Sequence, residues 1–234
     1  SRDTRVLLIK GGRGSFSNGV HLNVIQAAQD PGAEAWANIQ AIDDVCAELL
    51  SAQQLVVSGV TGNAGAGGVM LALAADIVFA RADVVLNPHY KSMGLYGSEY
   101  WTYSLPRAVG PAMAEQLTQA CLPVSATQAL QLGMVQEIGP RCPDEFSLWL
   151  LQRANAALTD PTYAAVRERK LRVDQVLIEQ CRESELQEMQ EDMLYNRNQF
   201  AEKCRNFVYK RKACGTPARL VEDWARVRKV EWAG

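Results

Sequence analysis

Thr61-Gly62-Asn63-Ala64-Gly65-Ala66-Gly67-Gly68 joins a short β-branched run, Leu55-Val56-Val57, to an apolar stretch, Val69-Met70-Leu71-Ala72-Leu73-Ala74-Ala75. The run reads as a strand that turns at Ser58-Gly59, and the stretch as a buried helix. Glycines at such a junction let bare backbone approach a ligand. Amide N–H groups at a helix N-terminus stabilise negative charge without reorganising, and a thioester carbonyl gains such charge when it is attacked or loses a neighbouring proton. Taken alone, the segment is equally well explained as a glycine-rich turn that binds nothing.

A second segment shifts the balance. Val6-Leu7-Leu8-Ile9 reads as another strand, and Gly11-Gly12-Arg13-Gly14-Ser15-Phe16-Ser17-Asn18-Gly19-Val20-His21-Leu22 follows it. These two segments, in this order and with Ala75-Asp76-Ile77-Val78 leading into a further strand, resemble the oxyanion-hole segments of the crotonase (enoyl-CoA hydratase/isomerase) superfamily. The resemblance implies an α/β fold, a spiral of ββα units. It also implies that the N–H groups of Val20 and Gly67 polarise the thioester carbonyl, and that Gly19, His21, Gly65, Gly68 and Gly94 bind the substrate. A further implication is a strand pair and a helix ahead of Val6, which this sequence lacks. It therefore reads as N-terminally truncated, with an exposed sheet edge expected at its first strand.

The departures from the hydratase pattern carry as much information. A hydratase needs two glutamates to activate water and deliver its proton, and alignment on the glycine run puts Met70 and Tyr90 at those positions. Met70 cannot exchange a proton. Tyr90, with an ordinary phenol pKa of about 10, is a poor base near neutrality. The replacement is Glu99, the only carboxylate between Asn87 and Tyr103, in Asn87-Pro88-His89-Tyr90-Lys91-Ser92-Met93-Gly94-Leu95-Tyr96-Gly97-Ser98-Glu99-Tyr100-Trp101-Thr102-Tyr103. Aromatic and glycine neighbours there favour a desolvated carboxyl of raised pKa. The competing reading is a first-turn helix carboxylate that only complements the dipole.

This segment, with Phe16 to Asn23 and Gly62 to Val69, resembles one branch of the superfamily, the C-terminal domain of the HypX/HoxX maturation factors of nickel–iron hydrogenases. His21 in place of the usual crotonase aspartate and the Asn-Pro-His-Tyr-Lys run are the specific features. The resemblance implies release of carbon monoxide from formyl-CoA, with coenzyme A as the thioester carrier, no metal cofactor, and Tyr90 and Glu99 as the catalytic pair; which is acid and which base stays open. It also implies hydrogenase maturation proteins as partners and a formyl-tetrahydrofolate-dependent domain that this chain lacks. A catalytically silent module that binds CoA or docks onto a protein, and an enoyl-CoA hydratase or isomerase, are the alternatives. His89 reads as satisfying a loop carbonyl, and Lys91 as a solvated lysine.

Composition fits a cytoplasmic enzyme. The 234 residues carry 24 Lys and Arg against 26 Asp and Glu, so there is no basic signature of nucleic-acid binding. Charge or glycine interrupts every long apolar run, and no membrane span is expected. Six cysteines without Cys-x-x-Cys spacing argue for reduced thiols and against zinc, and two histidines exclude a His-rich metal site. Residues 1–140 form the expected crotonase-like core, with Gly133 as a helix stop. Residues 141–234 form a helical region. In it, Glu183 to Met193 reads as a helix with one buried face and charges that are a solvated surface, and Tyr209-Lys210-Arg211-Lys212 is a weak basic patch.

Overall fold

The structure is a computed structural model that describes residues 4–12, 14–170 and 172–211. Two four-stranded sheets organise it. The strands are β1 (Val6–Lys10), β2 (Ser15–Ser17), β3 (Leu55–Val60), β4 (Asn63–Gly65), β5 (Ile77–Arg81), β6 (Val85–Asn87), β7 (Val124–Ser125) and β8 (Glu137–Gly139). One sheet runs β1-β3-β5-β8 with every neighbour parallel. The other runs β2-β4-β6-β7, parallel except where β7 meets β6. Each long strand β1, β3 and β5 therefore passes into a short strand of the second sheet and then into helix, which is the ββα repeat of a crotonase-like fold.

The helices are α1 (Leu22–Ala27), α2 (Pro31–Ser51), α3 (Gly67–Leu73), α4 (Trp101–Val109), α5 (Pro111–Ala120), α6 (Ala126–Leu132), α7 (Pro143–Ala156), α8 (Ala164–Lys170), α9 (Gln175–Met193) and α10 (Phe200–Val208). Their ends follow side-chain chemistry. Asp30 caps α2 through Ala33 N–H at 3.0 Å with Pro31 in the first turn. Ser125 and Gln128 form a capping box on α6, and Gly133, at φ 87°, stops it as expected. Ala108 and Val109 close α4, and Gly110 joins it to α5.

Every residue of β3 is buried, as a central strand of a parallel sheet requires. The turn expected at Ser58-Gly59 is absent, and the strand continues to Val60. Gly59 serves packing rather than turning, since a Cβ there would overlap the Leu150 side chain of α7. Phe146 and Leu150 of α7 bury against Leu55, Val57, Ile77 and Phe79, and Trp149 meets Phe79 edge to face with ring centroids 5.4 Å apart. The first helix after residue 140 thus completes the core of the β1-β3-β5-β8 sheet. β1 is an end strand of that sheet.

The helix expected across Glu183 to Met193 is α9, and its buried face is real: Ile178, Glu185, Met189, Asp192 and Met193 are all buried. Its charges are not simply a solvated surface, because Glu185 and Asp192 are fully enclosed. Of the basic patch, Lys212 lies outside the described residues. No helix among the described residues is long and apolar enough to cross a membrane.

Candidate active site

Parallel pairing of β2 with β4, Ser15 opposite Asn63 and Ser17 opposite Ala64, carries the two glycine-rich turns side by side. The first leaves β2 through Asn18 and Gly19, at φ 76°, and enters α1. The second leaves β4 through Ala66, at φ 47° and ψ −123°, and enters α3 at Gly67. This is a costly backbone conformation for alanine, of the kind that collects at functional sites. A Cβ on Gly19 would stand 3.4 Å from the Gly67 nitrogen, so the turns are in van der Waals contact. Neither Val20 nor Gly67 N–H finds an acceptor among the described residues. Both expected oxyanion donors are therefore unspent, and the Gly67 nitrogen lies against the turn that carries Val20.

The other glycines show how tightly these turns are built. A Cβ on Gly68 would overlap the carbonyl oxygen of Ser17, so α3 abuts β2 at bare backbone. Gly65 faces the Asn18 side chain, 3.2 Å from where its Cβ would lie. His21 caps α1, its Nδ1 accepting from Val24 N–H at 3.4 Å, which ties the ring to the oxyanion turn. Gly94, at φ 73°, follows the short 3₁₀ turn Lys91–Met93 and lies against Asn198 and Lys203. His89 is buried, with Nδ1 3.5 Å from the Ser92 hydroxyl.

Glu99 completes the site. Its residue is only 1 % exposed, and its carboxylate fills the space that a Cβ on Gly67 would occupy. The acid therefore lies directly on Gly67, the expected oxyanion glycine. Tyr90 donates its phenol proton to Glu99 Oε2 at 2.7 Å and also reaches the Ser98 carbonyl at 3.1 Å. The Tyr90 ring in turn packs where Gly97, at φ 104°, has no side chain. Met70, at the first hydratase position, is fully buried in α3.

Two groups that the sequence reading did not single out hold this turn. Glu99 and Tyr100 both sit at φ 59°, in the left-handed region. Asp43 of α2 accepts the Glu99 N–H at 2.8 Å. Glu185 of α9 accepts those of Tyr100 at 2.9 Å and Thr102 at 2.7 Å. Asp43 is 1 % exposed and Glu185 fully enclosed. A sequence signal existed for each. Asp43 falls on the buried stripe of α2 with Ala35, Ile39 and Cys46, and Glu185 on that of α9 with Ile178 and Met189, where a carboxylate needs a backbone partner.

Burial raises all three carboxyls. Glu99 rises from its ordinary 4.5 to about 7, held back by the Tyr90 hydrogen bond and pushed further by Asp43. Asp43 goes from 3.8 to about 6 and Glu185 from 4.5 to about 8, each chiefly through desolvation. Burial and the Glu99 charge push the Tyr90 phenol well above its usual value. Tyr90 thus stays a proton donor, and Glu99 is poised to exchange a proton near neutrality.

A stability prediction follows from the raised carboxyls. Their contribution is complete below the unfolded-chain values of 3.8 and 4.5 and is lost as pH rises through about 6 to about 8. The melting temperature, followed by circular dichroism, is expected to fall between about pH 5 and about pH 8.5; a melting temperature flat or rising across that window would overturn the raised pKa values. Tyr90→Phe removes the hydrogen bond that holds Glu99 down. It is expected to move the Glu99 midpoint upward in a carboxyl ¹³C NMR titration, and a downward movement would refute the assignment.

A separate cavity of about 260 Å³ opens among Asp76, Tyr103, Arg107, Met134 and Gln136, and its lining includes neither Tyr90 nor Glu99. Among the described residues, no group of three His, Cys, Asp or Glu side chains is arranged to hold a metal ion.

Two adjoining glycine-rich turns on a ββα spiral, with a carboxyl laid over one of them, are the arrangement of a crotonase-type fold. The enoyl-CoA hydratase/isomerase family profile matches residues 1–214, and the chain belongs to that family. Within it, the chain is 48 % identical over 168 residues to the hydrogenase maturation factor HoxX of Bradyrhizobium diazoefficiens, covering 70 % of this chain and 29 % of that protein. The crystal structure of HypX from Aquifex aeolicus in complex with tetrahydrofolic acid superimposes with a TM-score of 0.85 at 39 % identity, over 91 % of this chain and 39 % of that one. A probable enoyl-CoA hydratase of Mycobacterium bovis is 32 % identical over 147 residues, 60 % of this chain and 50 % of that protein. The chain thus spans about a third of the length of its maturation-factor relatives.

Proposed function

We propose that this chain is the formyl-thioester-cleaving region of a nickel–iron hydrogenase maturation factor, releasing carbon monoxide from formyl-CoA. The observation that carries the reading is the Glu99 carboxyl seated on Gly67 with the Tyr90 hydroxyl on its Oε2. Val20 and Gly67 N–H groups receive the formyl oxygen and polarise the carbonyl. The C–H bond of the formyl group breaks and its proton passes to the Glu99 carboxylate. The C–S bond breaks with its electron pair leaving on sulfur, and the thiolate recovers the proton from Glu99. Formyl-CoA thus becomes carbon monoxide and CoA thiol, with atoms and charge balanced and no water consumed. Met70 at a hydratase glutamate position agrees with a reaction that has no water to activate.

The roles of the pair follow from their environments. Tyr90, held protonated, donates to the carboxylate and keeps it oriented, while Glu99, near neutrality, carries the proton. Coenzyme A enters as the substrate's carrier. The likeness to HoxX and HypX supports hydrogenase maturation proteins as partners and a formyl-tetrahydrofolate-dependent domain as the source of the formyl group. A cytoplasmic setting fits that role.

One observation favours a second reading. A single carboxyl beside two oxyanion donors also suits shuttling a proton between carbons of an enoyl thioester, the work of an isomerase. The experiment supplies formyl-CoA and, separately, an enoyl-CoA. Carbon monoxide, read by the spectral change of a haem protein, with one CoA thiol per molecule of gas, is expected from the first. Double-bond migration in the second without gas from the first selects the isomerase. A folded, CoA-binding preparation inert to both overturns each reading and leaves a binding module.

A further inference from the structure

Glu99 and Tyr100 are consecutive residues at φ 59°, a conformation that side-chain-bearing residues adopt only when their surroundings fix it. Three successive anchors fix it here. The N–H groups of Glu99, Tyr100 and Thr102 end on two buried carboxylates, one from α2 and one from α9. The Thr102 hydroxyl also donates to Glu185. Burying two carboxyls is expensive unless they are engaged, and none of the salt bridges among the described residues includes either. Their partners are the backbone of the turn that aims Glu99 at Gly67.

We propose that Asp43 and Glu185 are positioning residues of this site: by accepting the backbone N–H groups of the left-handed Glu99-Tyr100 turn they hold the Glu99 carboxyl buried over Gly67. The groups that face Glu99 are few. Tyr90 donates to it, Asp43 and the buried Cys46 approach from α2, and Glu185 lies on the α9 side. Arg182 of α9 is the cation nearest in effect. It pairs with Asp44 and lowers the Asp43 pKa, so it acts on Glu99 only at one remove. Asp43 thus raises Glu99, and Tyr90 and Ser98 lower it.

The proposal rests on Glu99 as the proton-carrying group, but its test reads Glu99 itself, so failure to release carbon monoxide leaves it standing. In the full chain labelled with carboxyl-¹³C glutamate, the Glu99 resonance is identified by its loss in Glu99→Gln and titrated against pH. Asp43→Asn keeps an oxygen for the Glu99 N–H but removes the charge, and is expected to lower the midpoint by about one pH unit. Glu185→Gln sets an amide N–H against one of the two backbone donors, opens the turn to water, and is expected to move the midpoint toward the ordinary carboxylate range. The direction is opposite to that of Tyr90→Phe. Merely structural roles would lower the melting temperature and leave the midpoint of the folded fraction at about 7, and that result in either folded variant overturns the proposal. If Asp43→Asn does not fold, Glu185→Gln reads the same turn from its other side.

Discussion

Glu99→Gln is expected to lower carbon monoxide release from formyl-CoA by about a hundred- to ten-thousand-fold, the usual contribution of a positioned proton-transfer group. The substitution is nearly isosteric. Gln still accepts the Tyr90 hydroxyl through its amide oxygen and still fills the space over Gly67. Because the native carboxyl titrates at about 7, a neutral amide replaces a group already half protonated near neutrality. The fold should therefore survive, and above pH 7 the variant should melt higher than the native chain, since no charge is left to bury. The loss must come from the chemical step, with binding of CoA unchanged. A variant that keeps more than about a tenth of the native rate would sink the mechanism, because solvent or Tyr90 would then be carrying the proton.

The second large effect separates two adjacent glycines by outcome. In Gly67→Ala the new methyl overlaps the Glu99 carboxyl, whose neighbours leave it little room to retreat. Displacing a reacting group by about 1 Å costs on the order of a hundredfold, so this variant should lose activity much as Glu99→Gln does. In Gly68→Ala the methyl overlaps the Ser17 carbonyl oxygen instead. That atom belongs to β2, which cannot withdraw without straining its pairing with β4, and over-packing of this kind costs about 3 kcal/mol. A fall in melting temperature of roughly 6–12 °C is expected for a chain of this size. Calorimetry and the gas assay on both variants decide the matter. If Gly67→Ala is active, or Gly68→Ala melts with the native chain, the turns are looser than the structure holds.

How much of this was legible beforehand depended on the range of the interactions. The glycine-rich turns were readable because tight backbone approach leaves a local mark: Gly19 lies against Gly67, and the Glu99 carboxyl, bonded to Tyr90, lies on Gly67. Gly59 misled for the same reason: a glycine read as a turn was making room for Leu150, which lies far along the chain. The charges of α9 were read as solvent-facing because a helix rich in glutamate usually is. Glu185 and Asp192 are the exceptions, and the meaning of Glu185 depends on three donors near residue 100 that no local pattern of α9 reveals. Asp43 was overlooked although it stands in the apolar stripe of α2. Buried carboxylates in otherwise apolar stripes were the legible trace of the active turn's supports.

The distances along the chain between the turn and its anchors set an order of assembly. Asp43 precedes Glu99 by 56 residues, and Glu185 follows Tyr100 by 85. During synthesis the two oxyanion loops and Tyr90 leave the ribosome while Glu185 is still unmade. A nascent chain can then pair its sheets before it can lock Glu99 over Gly67, and contacts of such long range are the slow ones to form. Locking of Glu99 over Gly67 would arrive only once α9 has been made, so that a chain stopped before it displays the two glycine-rich loops without a held carboxyl beside them.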